Sequence, residues 1–264
     1  MLFDLKGRRK RLVQVTYVAL AILFAVGLVG FGIGGGASGG LFDAISGGDG
    51  GGGGGSSVYK TDVNRLTQKL RTSPKDKKAW NDLAVANFNL ARTSDDYDPK
   101  TGQFKEGAAN TLAAATDAWE RYLALKPRKR PVATANLMFQ SYAALLLLAN
   151  GDPLDRYKKA GQAAEIIAEE QPNPNAFYRV AAVAYAIGQM KKGDAAAKKT
   201  LEGIPKDQRN EVKSQLADLR KQALKAKKQS KEQKKQAETA AKAAQKSGQD
   251  PFGAAPGQGG GLGQ

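Results

Sequence analysis

Residues 174–207 read PNAFYRVAAVAYAIGQMKKGDAAAKKTLEGIPKD. The stretch combines the large residues Phe177, Val180 and Tyr185 with the small residues Ala181, Gly188 and Gly193. Pro205, near its end, cannot continue a helix. The spacing of these residues is the strongest indication of the fold.

The same stretch resembles the tetratricopeptide repeat family, whose 34-residue unit is a pair of antiparallel helices. In that family, small residues at positions 8 and 20 let the two helices approach, bulky residues fill the space between neighbouring hairpins, and a proline ends the second helix. The resemblance implies that Ala181 faces Gly193. The matching residues are Phe177, Val180, Ala181, Tyr185, Gly188, Gly193 and Pro205.

Two earlier units resemble the same repeat less closely. The first is interrupted by residues 92–107, and the second has Met138 where a small residue is expected. The resemblance covers roughly residues 58–207 and implies an all-α domain of about three helical hairpins with flanking helices; a bundle of unrelated helices is the alternative. The matching residues are Trp80, Leu83, Ala84, Phe88, Ala115, Trp119 and Pro127 in the first unit, and Leu137, Tyr142, Ala160, Ile167 and Pro172 in the second.

The interruption of the first unit carries its own local signal. Tyr97 and Phe104 flank the turn-forming sequence DPKTGQ, which predicts a small hairpin or ordered loop between two helices. Asp95, Asp96 and Asp98 suggest a calcium loop, but the alternating ligands, central glycine and terminal glutamate of such a loop are missing. We therefore interpret these carboxylates as a solvated turn, and expect no metal site.

Helical signals also flank the repeats. A first helix is predicted before Pro74, and an apolar stripe after Gln208 is typical of a helix that caps a repeat stack. The domain is therefore placed at 58–226, a helical extension with almost no apolar face at 227–247, and a compositionally disordered tail at 248–264. The apolar residues are Tyr59, Val63, Leu66 and Leu70 in the first helix, and Val212, Leu216, Leu219 and Ala223 in the cap.

The N-terminal part has the pattern of a membrane anchor. Residues 13–33 carry no charge and would span about 32 Å as a helix, enough to cross a bilayer. Five cations within residues 6–11 predict that residues 1–12 stay in the cytoplasm. Residues 34–57 are rich in glycine and predict a flexible linker to a domain outside the membrane. A cleaved signal peptide is the alternative, although this apolar segment is long for one.

Composition argues against catalysis. The 264 residues include no cysteine and no histidine, which excludes disulfides and thiol chemistry and removes the commonest general base. The glycine-rich stretch near the C-terminus follows no predicted strand, so it does not indicate a nucleotide site. We expect neither an enzyme nor a cofactor.

By resemblance to the family, protein segments or extended peptides would bind along the face made by the first helices of successive units. For Phe88, Tyr142 and Tyr185, packing between helices is the alternative. Some family members hold a C-terminal carboxylate with five polar residues, of which only Asn136 and Arg179 have a counterpart here, so such a clamp is doubtful. The candidate binding residues are Asn81, Phe88, Asn89, Asn136, Phe139, Tyr142, Tyr178, Arg179 and Tyr185.

The formal net charge is +16, and residues 206–247 hold thirteen lysines and arginines against five acidic residues. This basic extension is either plainly solvated or binds anionic lipids or wall polymers. Nucleic acid is not expected, because no aromatic residue lies among the lysines to stack on bases. The candidate polyanion-binding residues are Lys225, Lys227, Lys228, Lys231, Lys234 and Lys235.

The arrangement as a whole resembles bacterial single-pass membrane proteins that carry a repeat domain beside the protein-export channel. That resemblance implies a bacterial adaptor or chaperone-like protein that binds partner proteins of secretion or envelope machinery, with its domain outside the cytoplasmic membrane. A structural envelope protein that attaches to anionic lipids or wall polymers through its basic C-terminus is the alternative.

Overall fold

The computed structural model describes residues 55–246, and this part of the chain is almost entirely helical. The predicted all-α fold class is therefore confirmed for these residues. The helices are α1 (Gly55–Thr72), α2 (Lys77–Arg92), α3 (Ala109–Ala124), α4 (Val132–Leu147), α5 (Pro153–Glu170), α6 (Pro174–Ala186), α7 (Met190–Gly203) and α8 (Arg209–Lys246). A two-stranded hairpin, β1 (Tyr97–Asp98) and β2 (Gln103–Phe104), and a 3-10 turn (Glu106–Ala108) lie between α2 and α3.

Several predicted segments lie outside the described residues: the cytoplasmic segment 1–12, the membrane segment 13–33, most of the linker and the C-terminal tail. Between residues 55 and 246, no helix combines the length and the apolar character that a membrane crossing requires. Helix α1 begins at Gly55, so the last three residues of the predicted linker, 55–57, belong to this helix.

Polar caps and prolines set the starts of three helices. The Oδ1 atoms of Asp76 and Asn173 each accept a hydrogen bond, 2.9 Å long, from the backbone N–H three residues later. Asp152 accepts one from the N–H of Leu154 at 3.1 Å. Pro153 and Pro174 occupy the first helical position, where a missing N–H costs nothing. The starts of these three helices are therefore explained by the capping residues and prolines next to them in sequence.

Each helix packs mainly on its neighbour in sequence. The closest pairs are α2 with α3, α4 with α5 and α6 with α7, and α1 packs on α2. Gly188, with a φ of +78°, makes the tight turn between α6 and α7. Lys77 at the start of α2 contacts Lys126 just after α3, so those two helices are antiparallel. Between residues 55 and 223 the fold is thus a row of helical hairpins preceded by α1.

The contacts inside the third hairpin are close. A Cβ atom at Gly193 would lie 2.4 Å from two ring carbons of Tyr185, so this position has no room for a side chain. Ala181, one turn before Tyr185, is fully buried. The atoms nearest to a side chain placed at Gly193 are therefore those of the Tyr185 ring, and the expected contact with Ala181 stays a prediction.

The first turns of α8 cover the last hairpin. Its predicted apolar stripe is buried, as a capping helix requires: Val212, Leu216, Leu219 and Ala223 are at most 7% exposed. The described residues divide into two compact units between Ala223 and Leu224.

A polar contact fastens α8 to the third hairpin. Arg220 donates two hydrogen bonds to the carboxylate of Asp194, 2.7 and 3.2 Å long, and the Tyr185 hydroxyl donates a third at 2.9 Å. The hydrogen bonds from Arg220 hold the pKa of Asp194 below its ordinary value of 3.8.

This contact predicts an acid-dependent stability. Because the folded state lowers the pKa of Asp194, its contribution is complete above pH 3.8 and disappears as pH falls through the folded-state pKa. At neutral pH we expect Asp194→Asn to lower the free energy of unfolding by about 0.2 to 1 kcal/mol, since the pair is half-exposed. Urea unfolding of both proteins at neutral and at acid pH measures this, and a difference that does not shrink in acid contradicts the assignment.

Candidate functional site

The predicted binding residues Asn136 and Arg179 meet between α4 and α6. The guanidinium of Arg179 donates a hydrogen bond through Nη1 to Oδ1 of Asn136. The Nδ2 atom of Asn136 in turn donates to the backbone oxygen of Val132 at 3.0 Å, which fixes the orientation of the amide. Two side chains 43 positions apart thus form one polar cluster between the first helices of neighbouring hairpins.

The third member of this cluster is Phe139. The Arg179 guanidinium carbon lies 5.3 Å from the centre of the Phe139 ring, within the range of a cation–π interaction. Arg179 is half-buried, and burial lowers the pKa of its guanidinium, which nonetheless stays charged at neutral pH. Within residues 55–246 no carboxylate forms an ion pair with it. Donor groups of Arg179 thus remain for an anion.

Five of the nine candidate residues are buried aromatic side chains. The exposed fraction is 1% for Phe88, Tyr142 and Tyr178, 3% for Tyr185 and 6% for Phe139. The hydroxyl of Tyr142 donates to Glu120 at 3.1 Å. Phe88, Tyr142 and Tyr185 are therefore packed between helices, which was the alternative to binding. Their rings present almost no surface to a peptide.

The two remaining candidates, Asn81 and Asn89, are half-buried on α2. The Oδ1 atom of Asn81 is buried and has no hydrogen-bond partner in the described part of the chain. No hydrogen bond joins either asparagine to Asn136 or Arg179 among those residues. The structure therefore assembles Asn136, Phe139 and Arg179 into one site and leaves the α2 residues apart from it.

The inserted hairpin covers part of the α2 and α4 surface, which the sequence did not indicate. Phe104 packs edge-on against Phe88 with ring centres 5.9 Å apart, and Tyr97 lies 4.9 Å from Phe104. A cavity of about 170 Å³ between the hairpin and these helices also reaches Gln140 of α4. Two aromatic residues flanking a turn were the only sequence signal for this contact.

One acidic residue of the insertion, Asp98, stabilises the turn itself. Asp98 accepts hydrogen bonds from the N–H of Lys100 and the hydroxyl of Thr101, both 2.9 Å long. These bonds, the one from Thr101 foremost, lower the pKa of the Asp98 carboxyl. Its oxygens are therefore occupied in holding the turn between β1 and β2.

The second predicted site lies on the C-terminal part of α8, which belongs to the second compact unit. Lys225, Lys227, Lys228 and Lys235 are exposed. The side chains of Lys231 and Lys234 lie outside the described residues. The exposed lysines are accessible to solvent. Both plain solvation and binding of an anionic lipid or wall polymer require this.

Comparison of the sequence with protein-family models, and of the chain with curated proteins and solved structures, finds no match. The fold and the site define an all-α protein of successive helical hairpins with a half-buried guanidinium between two of them. Its membership of the tetratricopeptide family stays a prediction.

Proposed function

We propose that the chain is a membrane-tethered protein-interaction module, built from tetratricopeptide-type repeats, that binds an acidic segment of a partner protein at Arg179. It acts outside the cytoplasmic membrane of a bacterium as an adaptor or chaperone-like partner of secretion or envelope machinery. The single observation that supports the binding part is that Arg179 is half-buried and charged, with an amide and a ring as neighbours, and forms no ion pair with any carboxylate between residues 55 and 246.

The helix boundaries support the repeat assignment. Each proposed unit coincides with one helical hairpin: α2 with α3, α4 with α5, and α6 with α7. Small residues at the close-contact positions are buried, as the repeat requires: Ala84, Ala115, Ala160 and Ala181 are at most 3% exposed. Helix α1 and the first turns of α8 then cover the two ends of the row.

The chemistry of Arg179 favours a carboxylate as the bound group. A planar guanidinium binds a carboxylate through two parallel hydrogen bonds, and these are stronger where water is partly excluded. The ring of Phe139 and the amide of Asn136 hold the guanidinium in place before a partner arrives, which reduces the entropy lost on binding. A glutamate or aspartate side chain of the partner, or the carboxylate at its C-terminus, supplies the negative charge that would pair with Arg179.

Substitution of the guanidinium tests this function. We expect Arg179→Met in the full-length protein to weaken binding of a protein partner at least about tenfold, because one charge-assisted contact is worth roughly 2 kcal/mol or more. Arg71→Met is the matched control, since Arg71 is exposed on α1.

The measurement begins with a pull-down from detergent-solubilised membranes, followed by titration of the recovered partner against the two variants. Equal affinity of the Arg179 and Arg71 variants would place the binding site elsewhere. Recovery of no partner by the parent protein would count against the whole proposal. Circular dichroism of each variant checks that a loss of binding is not a loss of fold.

A second candidate function rests on the exposed lysines of α8, namely attachment to anionic lipids or wall polymers. Each lysine close to an anionic surface adds about 1 kcal/mol, and salt weakens the attraction. If truncation after Ala226 leaves both vesicle binding and the cellular role intact, this function is excluded.

A further inference from the structure

The loop between α3 and α4 concentrates positive charge in a fixed position. Four of the five residues 126–130 are cations. Lys126 has a φ of +50° and closes the end of α3. The Tyr122 hydroxyl donates a hydrogen bond to the backbone oxygen of Lys129, and Lys77 Nζ donates one to that of Lys126 at 3.3 Å. The backbone of this loop is thus tied to two helices.

Within the described residues, most of these cations have no carboxylate as an ion-pair partner. Arg130 is paired with Glu169 and Glu170 at 2.9 and 3.0 Å. The other three loop cations are exposed and form no ion pair within residues 55–246, and the same holds for two lysines at the nearby start of α2. We call these five residues the basic end: Lys75, Lys77, Lys126, Arg128 and Lys129.

The acidic groups around the basic end are already neutralised. Asp76 is paired with Lys69 at 2.7 Å, and Glu165 of α5 is paired with Lys192. Glu169 and Glu170 are occupied by Arg130. Among the residues that the structure describes, these four carboxylates are thus paired with other cations and do not compensate the charge of the basic end.

A cavity of about 600 Å³ opens beside the loop. Leu123, Pro127 and Ile166 give it apolar walls, and Lys126 and Arg128 also line it. Glu165 and Glu169 line it as well, each paired with another cation. Apolar walls next to unpaired cations suit a phosphate ester that carries an organic group, better than a bare inorganic ion.

We propose that the basic end binds the phosphate headgroups of anionic phospholipids. The proposal rests on the membrane anchor of the proposed function, because an anchored domain remains at high effective concentration beside headgroups. Helix α1 is about 27 Å long, and Lys75 of the basic end follows its C-terminal end. The glycine-rich linker that the sequence predicts at residues 34–57 would allow the domain to turn this end towards the bilayer.

The expected strength follows from the number of charges. Each cation close to an anionic surface strengthens association about fivefold, and the effect falls with ionic strength. Removing two of the five, with Lys126→Gln and Arg128→Gln together, should weaken the contact roughly thirtyfold. The matched control is Lys100→Gln with Lys158→Gln, which removes the same charge from two exposed positions outside both candidate binding surfaces.

The test uses the full chain in nanodiscs. Because the sequence contains no cysteine, Ala124→Cys, at the exposed end of α3 beside the loop, accepts one fluorescent label and leaves all five cations in place; Lys191→Cys labels exposed α7 as a control position. Lipids with a quencher in the headgroup report contact. We expect stronger quenching at position 124 in discs containing phosphatidylglycerol than in phosphatidylcholine discs, a loss of this difference in high salt, and little change at position 191.

Three outcomes overturn the proposal: equal quenching in neutral and anionic discs, equal quenching at both labelled positions, or no effect of the Lys126 and Arg128 substitutions. A response to added soluble polyphosphate in neutral discs, without a response to anionic lipid, would assign the cations to a soluble polymer instead. A chain that does not stay in the discs contradicts the anchor. Sedimentation of that soluble chain with anionic vesicles, with the same two pairs of variants, then tests the basic end alone.

Discussion

Replacing Trp119 with alanine is expected to lower the free energy of unfolding by about 3 to 5 kcal/mol. The side chain is 1% exposed at the centre of α3, and its ring stacks on Tyr122 with ring centres 5.1 Å apart. Removing it leaves a cavity that rigid helices on several sides cannot close. Since small domains are stable by only about 5 to 15 kcal/mol, this one change removes a large part of the total.

The measurement is urea unfolding of the full chain in detergent, followed by circular dichroism. Trp80→Ala is the control, because Trp80 is half-buried and its indole N–H bonds to the backbone oxygen of Pro74 at 2.9 Å. We expect a clearly smaller loss for the control. Equal losses at the two tryptophans, or a change within about 0.5 kcal/mol at Trp119, would show that α3 is not at the centre of the core.

The second large effect is expected at Gly193. In the interior of α7, alanine should favour the helix by about 1 kcal/mol over glycine. The added methyl group would, however, lie 2.4 Å from the Tyr185 ring, which is buried and held by its hydrogen bond to Asp194. Overpacking of this kind costs about 1 to 3 kcal/mol, so we expect Gly193→Ala to be destabilising despite the gain in helix propensity.

Two further variants separate packing from propensity. Tyr185→Ala removes the obstructing ring, and in that background Gly193→Ala should become neutral or stabilising, which a double-mutant cycle in urea measures. Lys191→Ala, at an exposed position of the same helix, should change the unfolding free energy by less than about 0.5 kcal/mol. A stabilising Gly193→Ala in the parent protein would contradict the contact between α6 and α7.

Much of the fold could be predicted because its signals are local. Asp152 and Asn173, each followed by a proline, determine where α5 and α6 begin, and Gly188 separates the two helices of the third hairpin. Periodic apolar residues identified the covering face of α8. Such features need only neighbours in sequence, so the pattern of residues is enough to locate them.

The candidate site could be predicted only in part, because it depends on neighbours in space. The repeat pattern places Tyr142 and Tyr185 where a ring can face either a groove or another helix, and the choice depends on partners such as Glu120 and Asp194. The pairing of Arg130 with Glu169 spans 39 positions. A charge run in the sequence does not show which of its members are neutralised in this way.

The neighbour-to-neighbour packing of the helices has a consequence for how the chain acquires its structure. Because each helix rests mainly on the one before it, few contacts must wait for distant parts of the chain, and such topologies fold rapidly. A chain that emerges gradually from a ribosome or a translocation pore can complete one hairpin before the next appears. At any moment only the newest apolar helix face would be exposed, which shortens the interval in which the nascent protein can aggregate.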